Sequence, residues 1–591
     1  MPTRPLPNAP SFEHLRKQAK RLRNAIRSGD ADALAEVVEF HPRARDSATR
    51  FSLADAQLVT ARAYGFASWT KLKEHLAAIE PFVWNTPPPP GDASSPVDVF
   101  IRLACLVYGA WHRSNREKAH RLLQEHPELA HANIYTAAAS GDVSVVRAMI
   151  ERDPALVHAK GGPLHWEPLL YACYSRLNDA GPDRSTLEAA RLLLARGADP
   201  NAGFLWEGTY PFTALTGAFG RGEDNMNELP HPRCFELATL LLDAGADPFD
   251  SQTLYNRHFE DNDDHLKLLF SYGLGQLRPD TRGPWLRRMG DRVNSVSTTL
   301  VEQLCWAALH NFPGRVKLLL DHGVDVNGRS PRDGRTPYET AMRAGHDALA
   351  TYLLQRGARK VELDPIDTFA LACIAGRREE VRARLAEDPA LLEKLEPRGQ
   401  AELIHRAVDA KQLDGVRLIV ELGVDVNAMI PHSGLDRAPL HNAAGWGTLD
   451  MIKLLLELGG DPNLRDCTFH AAPIGWAAYG QQRHVVEYLL TFATIFDAVR
   501  CDGVERVVEL LRRDPSLATA TDADGDPVVF SLHSEMRRLE EMIELLTRHG
   551  ASLNGRDHKG KTLLDRALAR GAVDFANTLR AHGARTSADI S

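Results

Sequence analysis

From Ala438 to Asp466 the apolar residues fall into two short helical stretches, Leu440, Ala443 and Ala444 in the first and Ile452, Leu455 and Leu456 in the second. Pro439 lies in the turn that opens the unit, Gly447 separates the two stretches, and Gly459, Gly460, Asp461, Pro462 and Asn463 close it. Glycine at the tail supplies the positive φ that ends a helix, and Asp and Asn favour the turn that follows. The same tail recurs as GADPN from Gly197, GADPF from Gly245, GVDVN from Gly323 and Gly423, and GASLN from Gly550. A second tail alternates with it: HPELAHA from His126, DPALVHA from Asp153, DPALLEK from Asp388 and DPSLATA from Asp514. Aligned inter-helix positions are Gly345, Gly376, Lys411, Gly447, Gln481, Gly503, Arg538 and Gly571, most of them about 33 residues apart. The step from Gln481 to Gly503 is short, because HVVEYLLTF runs almost directly into TIFDAVRCDG, so a connecting hairpin is expected to be missing there.

Paired alanines let the first helix approach its neighbours, and leucines of the second fill the space behind. Such a pair cannot bury its apolar faces alone, so only stacking gives a continuous core. The segments resemble the ankyrin-repeat family, with its TPLHxAA, GHxEVVxLLL and GADxN stretches; APLH from Ala438 comes closest to TPLH, which is complete nowhere. The W-x2-L-G-x2-Y pattern of tetratricopeptide repeats, which share the period, is absent. The resemblance implies an all-α solenoid of antiparallel helix pairs with short hairpin turns, roughly fourteen pairs from about residue 99 to 585. Divergent repeats with insertions are expected over 99–300, more regular ones over 301–585, and a tail over 586–591.

Charge and proline usage set the head apart. Residues 1–82 carry 13 Lys and Arg against 9 Asp and Glu, a net of +4, which leaves −12 for the remainder of a chain whose total is −8. WNTPPPPGDASSP, within 83–98, reads as a proline-stiffened linker. In the head, Phe12, Leu15, Ala19, Leu22 and Ile26 form one helical stripe, with Arg16, Lys17, Lys20, Arg21 and Arg23 elsewhere; further short helices follow, with Trp69 as an anchor. This segment is similar to the start of many bacterial ankyrin-repeat proteins of unassigned role and is read as a degenerate helical cap. Its basic helix could hold nucleic acid or an acidic partner, but a solvated charged face is the simpler reading. With no global basic field, nucleic acid is an unfavoured partner. Seven cysteines without a CxxC pair, no apolar leader and no membrane-length apolar run predict a cytoplasmic protein with reduced thiols.

Catalytic motifs find no home. GRDHKGKT and SPRDGRTP lack the spacing of a phosphate loop, TDADGDP lacks an EF-hand's Gly and Glu positions and reads as a hairpin turn, and HExxH, GxSxG and paired zinc-ligand spacings are absent. In NRHFEDNDDHLKLLF, His258, Glu260, Asp261, Asp263, Asp264 and His265 could bind a divalent metal, although acidic residues before an apolar helix also serve as caps. No enzyme, cofactor or metal is therefore expected.

Residues 160–290 hold fifteen of the forty-one aromatic residues and two insertions, near Arg176 and Arg221. These rings either fill gaps between irregular repeats or offer binding anchors, among them Trp206, Tyr210 and Tyr255. The ankyrin resemblance implies that residues just before the inter-helix position face a concave groove, here Trp446, Tyr479, Leu309 and His310. It places hairpin tips at Arg332, Asp333, Arg335, His432, Phe469, His558 and Lys559, and it assigns His441 to hydrogen bonds between neighbouring turns. The implied function is a scaffold that binds an unidentified protein partner noncovalently. A small-molecule or metal-dependent activity in 160–290 is the alternative.

Overall fold

The computed structural model describes the chain apart from residues 1–3, 5, 8–10, 42–50, 87–94, 179–180, 182, 225, 277–283, 290–293, 431–435, 571 and 591, and the side chains of 284, 286, 287 and 397. It comprises two compact units, Met1–Pro337 with Gln355–Ala358, and Tyr338–Leu354 with Arg359–Ser591. Both are mainly helical. No helix among the described residues is long and apolar enough to cross a membrane.

The first unit begins with four helices, Phe12–Arg27, Ala31–Phe40, Leu53–Ala63 and Trp69–Ile79. Asp30, Ser52 and Ser68 accept backbone N–H bonds at the starts of the last three. Leu15, Tyr64, Leu72, Leu76 and Ile79 share one buried cluster with Leu205, Trp285 and Met289, so the head is packed against later parts of its own unit. Helix pairs follow, including Ile134–Ser140 with Val143–Arg152, Pro168–Tyr174 with Thr186–Ala195, and Val296–Leu309 with Pro313–Asp321.

The all-α expectation is corrected here by a small sheet. Strand β1 (Val83–Trp84) pairs parallel with β2 (Gly203–Trp206), which pairs antiparallel with β3 (Tyr210–Thr213) in the register Phe204 to Phe212 and Trp206 to Tyr210. Glu207 and Gly208 turn the hairpin at φ 52° and 69°. Phe204 stacks between Trp166 at 4.9 Å and Phe212 at 5.7 Å, each within 12° of parallel. Burial of these rings stabilises extended backbone where helical spacing alone predicts only a long turn. Trp84, placed in the linker by its sequence context, packs on Phe204 at 4.8 Å and donates its indole N–H to the Leu164 carbonyl at 2.7 Å.

The second unit stacks more regular pairs: Pro365–Ile374 with Arg378–Glu387, Glu396–Asp409 with Leu413–Glu421, Pro439–Gly445 with Leu449–Glu457, and Pro473–Tyr479 with Arg483–Leu490. Close approach between repeats is visible at Gly415, where a Cβ would lie 1.9 Å from the Ile374 carbonyl oxygen. A side chain there is sterically excluded.

Tail asparagines staple successive repeats. The Nδ2 of Asn427 donates to the Gly459 carbonyl at 3.2 Å while its Oδ1 accepts the Asp461 N–H at 2.8 Å. Asn201 does the same with Gly245 and Asp247, and Asn554 with Gly583 and Arg585. A side chain two residues earlier turns each asparagine into place: Asp425 accepts the Asn427 N–H at 2.9 Å, Asp199 that of Asn201 and Ser552 that of Asn554. The expected missing hairpin is real: four residues separate Leu490 from the start of helix Ile495–Arg500. There the ladder breaks, because Asn463 still donates to Phe492 while its buried Oδ1 has no partner.

Candidate interaction surface

The turn between paired helices needs one residue with positive φ. Gly141, Asn311, Gly345, Gly376, Lys411, Gly447, Gln481 and Asp502 supply it, at 56° to 77°. Sequence alignment had the sixth of its eight positions at Gly503 instead of Asp502, a slip of one residue; Gly503 itself has φ −86°. At Arg538 φ is −111°, so no left-handed turn forms there, and Gly571 lies outside the described residues.

This turn carries the exposed aromatics of the second unit. Trp446, 67% exposed, immediately precedes Gly447, and Tyr479, 55% exposed, lies two residues before Gln481. In repeat alignment Tyr479 corresponds to Gly445 and Trp446 to Gly480. The strips run side by side: a Cβ on Gly480 would lie 2.6 Å from the Gly445 carbonyl, and the His484 Nε2 is 3.1 Å from that of Gly447. Two large rings are thereby presented on neighbouring, rigid turns.

The same repeats carry a partly buried polar row. Asn442 donates to Asp409 at 3.0 Å and accepts from the guanidinium of Arg437, which itself lies 5.1 Å over the Trp476 ring. Burial raises the Asp409 carboxyl above its usual range. The His441 Nε2 is 3.2 Å from the Ala471 carbonyl, and burial lowers its pKa; this bond to the next turn is the role that the family resemblance implied. At the hairpin tip, Asp466 accepts N–H bonds from Thr468, Phe469, Ala471 and the Trp476 indole. Although burial opposes ionisation, those donors keep the carboxyl below its usual range. Phe469, 64% exposed, projects from the tip so held.

In the first unit, His310 and Leu309 occupy the corresponding turn before Asn311 and are exposed. His310 packs against Trp306 at 4.2 Å, and Trp306 stacks on His258 at 4.0 Å. Arg332 lies 5.8 Å over the same indole. Tyr255 contacts His258 at 4.9 Å and donates its hydroxyl to Glu223. Tyr210 and Arg332 both perturb the titration of Tyr255, whose pKa is raised chiefly by burial. Tyr255, His310 and Arg332, distant in sequence, are thus gathered around His258 and Trp306, while Tyr210 is exposed at the start of β3. Arg335, also exposed, pairs with Asp333 at 3.4 Å. Trp206, the cross-strand partner of Tyr210, is half-buried and edge-on to Phe212 at 5.2 Å. Of the tips read from sequence, His558 is bonded to Asp526, Lys559 has its N–H tied to Asp557, and His432 lies outside the described residues.

Most of the central aromatics serve packing: Trp166, Tyr171, Tyr174, Phe212 and Phe219 are almost wholly buried. The acidic run around 260 has a structural task that sequence reasoning missed. Arg315 is fully buried and donates to Asp263 at 2.6 Å and to the carbonyls of His258, Glu260 and Asn262. Arg221 and Arg257 approach Glu260 at 3.3 and 3.6 Å. An arginine three residues after a Phe-Pro helix start was the only available signal. His258, pushed down to about 3, and His265, held well below its usual value, are kept neutral by burial and by neighbouring arginines. No group of three or more His, Cys, Asp or Glu side chains able to hold a metal ion exists among the described residues. TDADGDP is a hairpin turn, with Asp522 accepting the N–H groups of Asp524 and Asp526 and Gly525 at φ 87°.

Residues 404–497 match the ankyrin-repeat family in three copies, a span that includes Trp446, Phe469 and Tyr479. No curated protein matches the chain. Ankyrin repeats confer a capacity to bind proteins.

Proposed function

We propose, from the three ankyrin repeats of residues 404–497, that this protein is a noncovalent protein-binding scaffold and that Trp446 and Tyr479 anchor its partner. The observation that carries this reading is two large rings exposed on adjacent left-handed turns whose backbones pass close to one another. Exposed aromatic side chains on rigid backbone bring large contact area at little ordering cost, which is how a few residues come to dominate an interface. Phe469, Arg332, Arg335, His310, Tyr210 and Tyr255 extend the recognition surfaces on their respective units. On this reading the chain forms an extended ankyrin-type solenoid, binds without catalysis and works in the cytoplasm, where its seven unbridged cysteines are stable.

The test compares capture of native-cell proteins by the full chain and by the Trp446→Ala/Tyr479→Ala variant. Specific partners are expected to be lost from the variant with its thermal melt unchanged. Equal capture by both would remove these two rings from the interface.

A further inference from the structure

The first helix of the head has a face that protein binding does not use. Leu15, Ala19, Leu22 and Ile26 of helix Phe12–Arg27 are buried. Arg16, Lys20, Arg23 and Arg27 recur at four-, three- and four-residue steps, a single row about 16 Å long at 1.5 Å per residue. Lys17 and Arg21 form a second row beside it. All of these are exposed except Arg23, which is half-buried.

Little neutralises them. Glu13 is the helix's one carboxylate and approaches Arg16 at 3.6 Å. Arg23 donates to the Asn24 side chain and Arg27 to the Phe51 carbonyl, both uncharged acceptors. Among the described residues, Lys17, Lys20, Arg21, Arg23 and Arg27 have no carboxylate partner. The row continues one turn earlier to Phe12, whose ring lies 5.4 Å from that of Trp69, with the Lys73 ammonium 5.8 Å from the Phe12 centroid. Both rings are half-buried, so each keeps part of its surface in water.

We propose that this face binds a single-stranded nucleic acid, its phosphodiester backbone following the cation row and a base stacking at Phe12 and Trp69. A cationic track ending in partly exposed rings suits a strand whose bases are unpaired, because every base offers a stacking face. A duplex hides those faces. A lipid surface fits poorly, since the helix's apolar side is already buried and has nothing to insert. An acidic polypeptide would pair with the cations but offers no regular succession of planar faces to lay on Phe12 and Trp69, and the one large aliphatic side chain strongly exposed among the described head residues is Val38, on another helix. Repulsion from the remainder of this acidic chain is screened within about 10 Å at ordinary salt, which leaves the row to act locally.

The test uses the full chain and fluorescence anisotropy at about 50 mM salt, where phosphate contacts are strongest. The probes are labelled oligo-dT and oligo-U of about 20 nucleotides, a duplex of equal length, polyglutamate, and phosphatidylserine vesicles. Binding of the single strands above all other probes is expected. Lys17→Gln/Lys20→Gln/Arg21→Gln should weaken it at least about tenfold and lower the log–log salt slope by about 2. Phe12→Leu should weaken the single strands several-fold while leaving the salt slope in place, a readout independent of the cations. Failure to bind either single strand, or equal or tighter binding of duplex, polyglutamate or vesicles, would overturn the proposal. None of these outcomes depends on Trp446 or Tyr479, so the scaffold reading stands or falls separately.

Discussion

Residues 404–497 and residues 250–320 both stack short helices, but they join neighbours by different chemistry. In the former, Asn427 links successive tails through backbone groups, and glycines at 415 and 447 let the chain pass closely. In the latter, a buried arginine gathers three carbonyls and a carboxylate from a preceding loop, and the His258 imidazole stacks on the Trp306 indole. A repeat that keeps its turn residues can be held by backbone hydrogen bonds shared along the stack. One that has diverged needs a long side chain to satisfy what its irregular loop leaves unpaired. The first arrangement is distributed, and the second concentrates its cost in one residue.

Removing that residue is expected to have the largest effect. Arg315→Met should destabilise the first unit by about 3–5 kcal/mol, because Asp263 and three carbonyls lose their donor in a buried setting. Chemical denaturation followed by hydrogen exchange in 255–265 checks it; a loss as small as that of a surface substitution would mean that the loop is held by other contacts.

Acid should separate the two regions next. His231 and His258, both pushed down to about 3 by burial, are neutral in the fold and take up protons when it opens. A base whose folded pKa is depressed supports the fold above its unfolded value of about 6.5 and loses that support as pH falls below it. By pH 5 each should have cost about 2 kcal/mol, so exchange in 228–270 should accelerate first. In the second unit, Asp526 is lowered to about 2: burial opposes ionisation, but the His558 N–H and the Arg566 guanidinium outweigh it. That contribution is present above the usual carboxylate value near 4 and disappears only as pH approaches 2. Uniform acid sensitivity along the chain would contradict the contrast.

Within the second unit, Asn427→Ala removes two bonds between repeats and should cost about 1–3 kcal/mol in urea unfolding. Asn463→Ala removes one bond together with an oxygen that lacks a partner, so it should cost less. Equal losses would show that the broken ladder carries no penalty. The smallest effect on stability belongs to Trp446→Ala, within about 0.5 kcal/mol by thermal melt, since the ring lies mostly in water.

Much of the second unit was legible along the chain. The tail motif located the stapling asparagines at 427, 463 and 554, and its spacing exposed the missing hairpin before Ile495. The exposure of Trp446 followed from its place beside a turn glycine. Elsewhere the same kind of reasoning fell short, as at Asp502, because any residue that tolerates positive φ can replace glycine in that turn. The strands at 83–84, 203–206 and 210–213 carry no distinctive alternation, and their pairing is supported by Phe204, which stacks on both Trp166 and Phe212.

The order of residues by itself determined the repeating unit, its turns and its staples, since these depend on φ preferences and hydrogen bonds spanning at most one repeat. Which of the central aromatic rings are buried, which carboxylate answers Arg315, and how Tyr255, His310 and Arg332 come together around Trp306 were decided only in three dimensions. Those outcomes depend on burial and on partners far apart along the chain, and neither quantity is a property of a local pattern.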